Sequence, residues 1–181
     1  MRYLLSQIGL VAGFFTLCTA SQALAALDVV GSAVYALPSS SGTAGHLDYP
    51  GGGLIFNLGL GQRVDLQLGG LVLTRGDSSL GTTDRVGTGV LGFGIKLERY
   101  FTLNLGGFYD YVLVNNTGNS QDAWGGLAGV TARVPLGAKV AFVFRADYQM
   151  YLNNGVITGG GNASSNSQIL GSAGLSFGMF K

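Results

Sequence analysis

The chain holds one histidine, His46, with Ser41 a little before it and Asp48 just after. Serine, histidine and aspartate are the parts of a hydrolytic triad. Such a triad works only when its members are held rigidly within hydrogen-bond reach. His46 lies in a Gly- and Ser-rich stretch from Pro38 to Gly52, and a solvated loop histidine is the plainer reading. Asp77, Asp84 and Asp122 also stand in polar stretches. Loop carboxylates can hold calcium, but this spacing matches no calcium loop. The clusters Gly51-Gly52-Gly53 and Gly159-Gly160-Gly161 lack the pattern of a phosphate-binding loop. They read as loop flexibility and close strand approach. No catalytic residue, metal ligand or cofactor is expected.

A second set of charges is more informative. Asp28, Asp65, Lys96, Asp110, Arg133, Arg145 and Asp147 all fall on one face when the chain is read with the two-residue period of a β-strand. Buried charges are costly unless paired. Arg145 lies near the middle of its strand and calls for a carboxylate, with Asp147, Asp65 or Asp110 as candidates. Such a face either plugs a narrow interior with ion pairs and hydrogen bonds or lines a polar pore.

The elements that would position these charges are eight apolar-periodic stretches. They are Leu27 to Leu37, Gly53 to Leu60 (with room to extend into Gly51 and Gly52), Val64 to Thr74 and Thr88 to Leu97. Tyr100 to Val112, Ala123 to Val134, Lys139 to Leu152 and Gln168 to Lys181 follow. In each, bulky apolar residues alternate with Gly, Ser, Asn, Thr or a charge, as strands with two unlike faces require. Connections run long, short, long, short, long, short, long. The short ones are at Gly61-Gln62-Arg63, Glu98-Arg99 and Pro135 to Ala138. Transmembrane barrels have this alternation of outer loops and periplasmic turns, and an even strand count. Tyr35, Tyr109, Tyr111, Trp124 and Tyr148 recur at the loop ends, and Tyr100, Phe101 and Phe180 at the turn ends. Those positions suit interfacial aromatic belts.

Composition decides which face is out. Of 181 residues, 47% are hydrophobic and only 10% charged, against about 25% charged in an ordinary soluble domain. The small and polar face would make a poor soluble exterior. It would fill the interior of an eight-stranded barrel, which is only wide enough for side chains. Leu91, Phe93, Phe142, Phe144, Leu175 and Phe177 would overfill that interior and are expected to face lipid. Residues 1–25 read as a cleaved signal peptide, with a basic start at Arg2, an apolar core and an Ala23-Leu24-Ala25 cleavage site. Cleavage after Ala25 is preferred, and after Ala26 is the alternative. The only cysteine, Cys18, leaves with the leader, so no disulfide or thiolate site is expected. The ten basic residues less Arg2 leave nine against nine acidic. No basic run suggests nucleic acid.

With these strands, loops and leader, residues 26–181 resemble the small outer-membrane β-barrel proteins of Gram-negative bacteria, the broad family of the OmpA transmembrane domain, OmpX-like and opacity-type proteins. The resemblance is one of pattern over the whole mature chain. It implies a closed antiparallel eight-stranded barrel in the bacterial outer membrane, in contact with outer-membrane lipid and monomeric. It also implies periplasmic chaperones and the barrel-assembly machinery as partners during biogenesis. In that family the last strand carries the assembly signal, which Gly174, Phe177, Met179 and Phe180 match loosely. Lys181 departs from it by following the final Phe. The role expected is structural or surface-interacting, through four outer loops. A narrow passive channel for small solutes, lined by Arg145, Asp147 and Asp65, is the alternative. A rim-sited enzyme using His46 is the remote one.

Overall fold

In the computed structural model, residues 26–38, 49–77, 82–113, 120–153 and 167–178 are described. The signal peptide, Cys18, the Ser41–His46–Asp48 set, Gly159 to Gly161, and Met179, Phe180 and Lys181 lie outside them. Eight strands form one closed barrel in sequence order. They are β1 (Leu27–Pro38), β2 (Tyr49–Gly59), β3 (Val64–Asp77), β4 (Thr82–Lys96), β5 (Phe101–Leu113), β6 (Ser120–Pro135), β7 (Val140–Tyr151) and β8 (Ser167–Gly178). Every strand pairs antiparallel with its neighbours, and β8 closes on β1 from Asp28↔Gly178 to Pro38↔Gln168. Sideways partners followed from Leu27 round all eight strands return to β1 at Leu37, ten residues further on. That stagger tilts the strands and fixes the barrel diameter.

Several strands run further than the apolar period indicates. β2 starts at Tyr49 rather than Gly53, and β4 at Thr82 rather than Thr88. The loop expected from Arg75 to Gly87 is largely hairpin, with Arg75↔Asp84, Gly76↔Thr83 and Asp77↔Thr82 in register. Only residues 78–81 connect β3 to β4. Of the four expected outer loops, two are long (39–48 and 152–166), one has six residues (114–119) and one has four (78–81). Crossing a bilayer needs about 9–11 residues per strand. The upper ends of β3 and β4 pass that length, and beyond the hydrocarbon no apolar alternation is required.

The facing is clear-cut. Leu91, Phe93, Phe142, Phe144 and Phe177 are exposed on the outside, as are Tyr35, Tyr109, Tyr111, Trp124 and Tyr148 near the loop ends. Leu175 is half-exposed on the same face. Along β7 exposure alternates residue by residue from Phe142 to Tyr151. An exterior of bulky apolar side chains flanked by aromatics is what hydrocarbon selects.

Candidate functional site: the lumenal side chains

Inward positions of the lower half, toward the short turns, are mainly polar, around one small apolar cluster of Val30, Ile55 and Val143. Asp28, Asp65, Lys96, Arg133, Arg145 and Asp147 all project there, and Asp110 projects inward higher up. At mid-barrel Arg145 Nε donates to Asp147 Oδ2 at 2.5 Å. Arg145 Nη1 donates to Gln67 Oε1 at 3.2 Å. Gln67 Nε2 in turn donates to Asn104 Oδ1 at 3.1 Å. Asn104 Nδ2 completes the ring, donating to Thr131 Oγ1 at 2.8 Å and Asp147 Oδ1 at 3.4 Å. In an eight-stranded barrel β3 and β7 stand opposite each other. The Arg145–Gln67 bond therefore crosses the whole lumen, with β5 bracing it from the side. Charge-assisted bonds of this kind are the stronger class.

Gly129 is part of this construction. It lies directly across from Asp147, and a Cβ there would collide with the Asp147 carboxylate and the Ala146 carbonyl. Only glycine leaves the carboxylate its place beside Arg145.

Below the ring, Asp28 is fully engaged. Its Oδ2 accepts from Arg133 Nη1 at 2.5 Å and Asn57 Nδ2 at 3.3 Å, and its Oδ1 accepts from Ser176 Oγ at 2.6 Å. Lys96 pairs with Asp65 at 2.7 Å. Of the three carboxylates the sequence offers Arg145, the fold thus selects Asp147. Asp65 is taken by Lys96, and Asp110 accepts from the Tyr151 hydroxyl at 2.8 Å. Just below the ring lies a cavity of about 10 Å³ lined by residues such as Asn57, Gln67, Arg133 and Arg145. That is the size of one water. Arg145, whose Nη2 has no hydrogen-bond partner among the described residues, is part of the same cavity wall.

The upper lumen differs from the small, polar face expected of the sequence. Val34, Ala36, Leu71, Leu73, Val86, Val90, Phe108, Val112, Ala123, Leu127, Tyr151 and Leu170 form one buried apolar cluster. Phe108 and Tyr151 meet edge-on with ring centroids 5.1 Å apart. Two polar links, Tyr151–Asp110 and Gln168–Gln149 at 2.6 Å, tie strands together within it. The signal was present in the sequence where both faces are apolar, as in Leu71-Val72-Leu73. Gln67, Asn104 and Thr131 were not singled out there because none carries a charge. A concavity of about 760 Å³ lies on the outer face over β7, β8 and β1, where Ala33, Ala146, Gly171 and Ala173 are small. It opens onto the lipid boundary, away from the lumenal groups.

No protein-family model matches the chain, and no curated protein does. Solved structures do. The outer membrane protein OprG from Pseudomonas aeruginosa is 12% identical, with a TM-score of 0.61 over 89% of this chain and 99% of that one. A major outer membrane protein from Thermus thermophilus is 16% identical, with a TM-score of 0.58 over 86% and 100%. Ail, the attachment invasion locus protein of Yersinia pestis, is 11% identical, with a TM-score of 0.50 over 86% and 97%. The chain is an eight-stranded barrel of the outer-membrane type. At these identities the likeness is one of fold. The lipid-facing exterior of this barrel accounts for that fold in its own residues.

Proposed function

We propose that the protein is a closed, non-enzymatic outer-membrane barrel that holds its outer loops at the cell surface in a structural or surface-interaction role. The observation that carries this reading is the Arg145–Gln67 bond across the lumen, closed into a ring through Asn104 and Asp147. A packed apolar layer above that ring adds a second obstruction. The cavity directly beneath the ring has room for about one water, which supports an obstructed lumen at that level. Strands longer than a tilted bilayer crossing needs, as β3 and β4 are at 14 and 15 residues, favour presentation of the outer end. Attachment is in the name of one structural neighbour, and that word describes the neighbour.

Planar-bilayer recording of the refolded barrel tests the reading. No discrete openings are expected. Stepwise openings of uniform size would replace it with the narrow-channel reading. His46→Ala is expected to leave every phenotype unchanged, and a lost hydrolytic activity in that variant would restore the enzyme.

A further inference from the structure

The periplasmic mouth of the barrel carries a cavity of about 420 Å³ whose walls include Asp28, Arg99, Arg133, Lys139 and Ser176. That volume lies within the roughly 300–1,000 Å³ range of small-molecule sites. Three cations face one carboxylate. Asp28 is already engaged by Arg133, Asn57 and Ser176, so its charge is balanced. Arg99 and Lys139 have no acidic partner among the described residues. Arg99 instead lies over the Tyr100 ring, 5.5 Å from its centroid. Both sit in turns, Arg99 between β4 and β5 and Lys139 between β6 and β7. The lining therefore presents two positive charges that none of its carboxylates pairs, beside a neutralised pair, with Glu98 next to Arg99 in the turn but outside the lining.

We propose that this mouth is an anion site that takes a phosphate group. A phosphate group carries one negative charge and two free acceptor oxygens as a lipid diester, and up to about two charges with more acceptor oxygens as the free ion, and either form can bridge two cations. The planar fork of Arg99 suits two phosphate oxygens at once, and Lys139 supplies a mobile point charge. Two sources offer that chemistry at this depth: the headgroups of the periplasmic leaflet and free phosphate in the periplasm. Exposed Leu97 and Leu136, in the same two turns, bring the turns toward the membrane boundary. Ala26 is on the same wall. Cleavage after Ala25, as the sequence leads one to expect, would add its α-ammonium to the site. The site does not depend on whether the lumen above it is closed.

The experiment has two arms, each run on the refolded barrel and on an Arg99→Gln/Lys139→Gln variant. Both side chains are exposed, so the variant is expected to keep the heat-dependent gel shift of a folded barrel. In the first arm, isotope-labelled protein in a phosphate-free, uncharged detergent is titrated with inorganic phosphate. Saturable amide shifts centred on residues 99 and 137–139 are expected, with affinity about tenfold weaker in the variant, equivalent to ~1.4 kcal/mol. In the second arm, native mass spectrometry follows phosphatidylglycerol released with the barrel from nanodiscs that otherwise hold an uncharged glycolipid. Loss of retention in the variant alone assigns the site to headgroup phosphate. Retention unchanged in the variant, together with the titration response, assigns it to free phosphate. Wild type and variant behaving alike in both arms overturns the proposal.

Discussion

Above Arg145 the lumen is filled by Val34, Leu71, Leu73, Phe108 and their neighbours. Below it the same inward positions hold Asp28, Asn57, Asp65, Arg133 and Ser176. One half is sealed as a soluble core is, by close-packed apolar side chains whose driving force has no direction. The other is sealed by directional bonds, several of them reaching between strands that are not neighbours. Burial of apolar groups is additive and forgiving, whereas a polar network is costly once one member is missing. The two halves should therefore respond differently to damage. The apolar half should lose stability in proportion to the volume removed. The polar half should fail when a charge is left alone and recover when its partner is removed too.

Asp147→Ala is expected to have the largest effect. It leaves Arg145 buried without its carboxylate, a loss of about 3–5 kcal/mol for a broken buried pair. The denaturant midpoint of the refolded barrel measures it. Adding Arg145→Met to that variant should restore most of the loss, and failure to do so would show that the ring contributes packing rather than charge balance. Leu73→Ala, at a side chain only 1% exposed in the apolar half, should cost about 2–5 kcal/mol by the same measurement. No second substitution across the lumen should rescue it except one that refills the space. Lys96→Gln is the smallest. Lys96 is partly exposed at the mouth although its partner Asp65 is buried. Water reaches the lysine end and screens the pair, so the loss should stay below that of the buried Arg145–Asp147 pair. Its effect should fade at high salt. A large, salt-independent loss there would erase the distinction between mouth and mid-barrel.

Much of this barrel was legible in the sequence, and the reason is physical. Membrane and lumen are unlike solvents, so the two-residue period shows on nearly every strand. Phe142, Phe144 and Tyr148 against Val143, Arg145 and Asp147 is one such case. Other features were hidden from a local pattern. Arg145 has three carboxylates within conceivable reach, and only the register of a closed barrel chooses Asp147. Gln67 is many residues from Arg145 in the chain, and nothing short of the strand order places β3 opposite β7. The upper ends of β3 and β4 were hidden because Arg75, Asp77, Thr82 and Asp84 pair above the hydrocarbon, where alternation carries no advantage. Inward Val90 and Phe108 were passed over because a barrel interior need not be polar wherever it is dry.

The most direct measurement concerns two adjacent residues of β7. Exchanging them, Phe144→Arg with Arg145→Phe, keeps composition, length and strand unchanged and moves the arginine from lumen to lipid. An arginine at mid-membrane costs about 2–4 kcal/mol on the lipid face, and Asp147 would lose its partner as well. The exchanged chain is expected not to reach the heat-modifiable folded form in lipid vesicles under conditions where the wild type does. Insertion with a wild-type denaturant midpoint would contradict the assignment of the two faces, and with it the closed lumen.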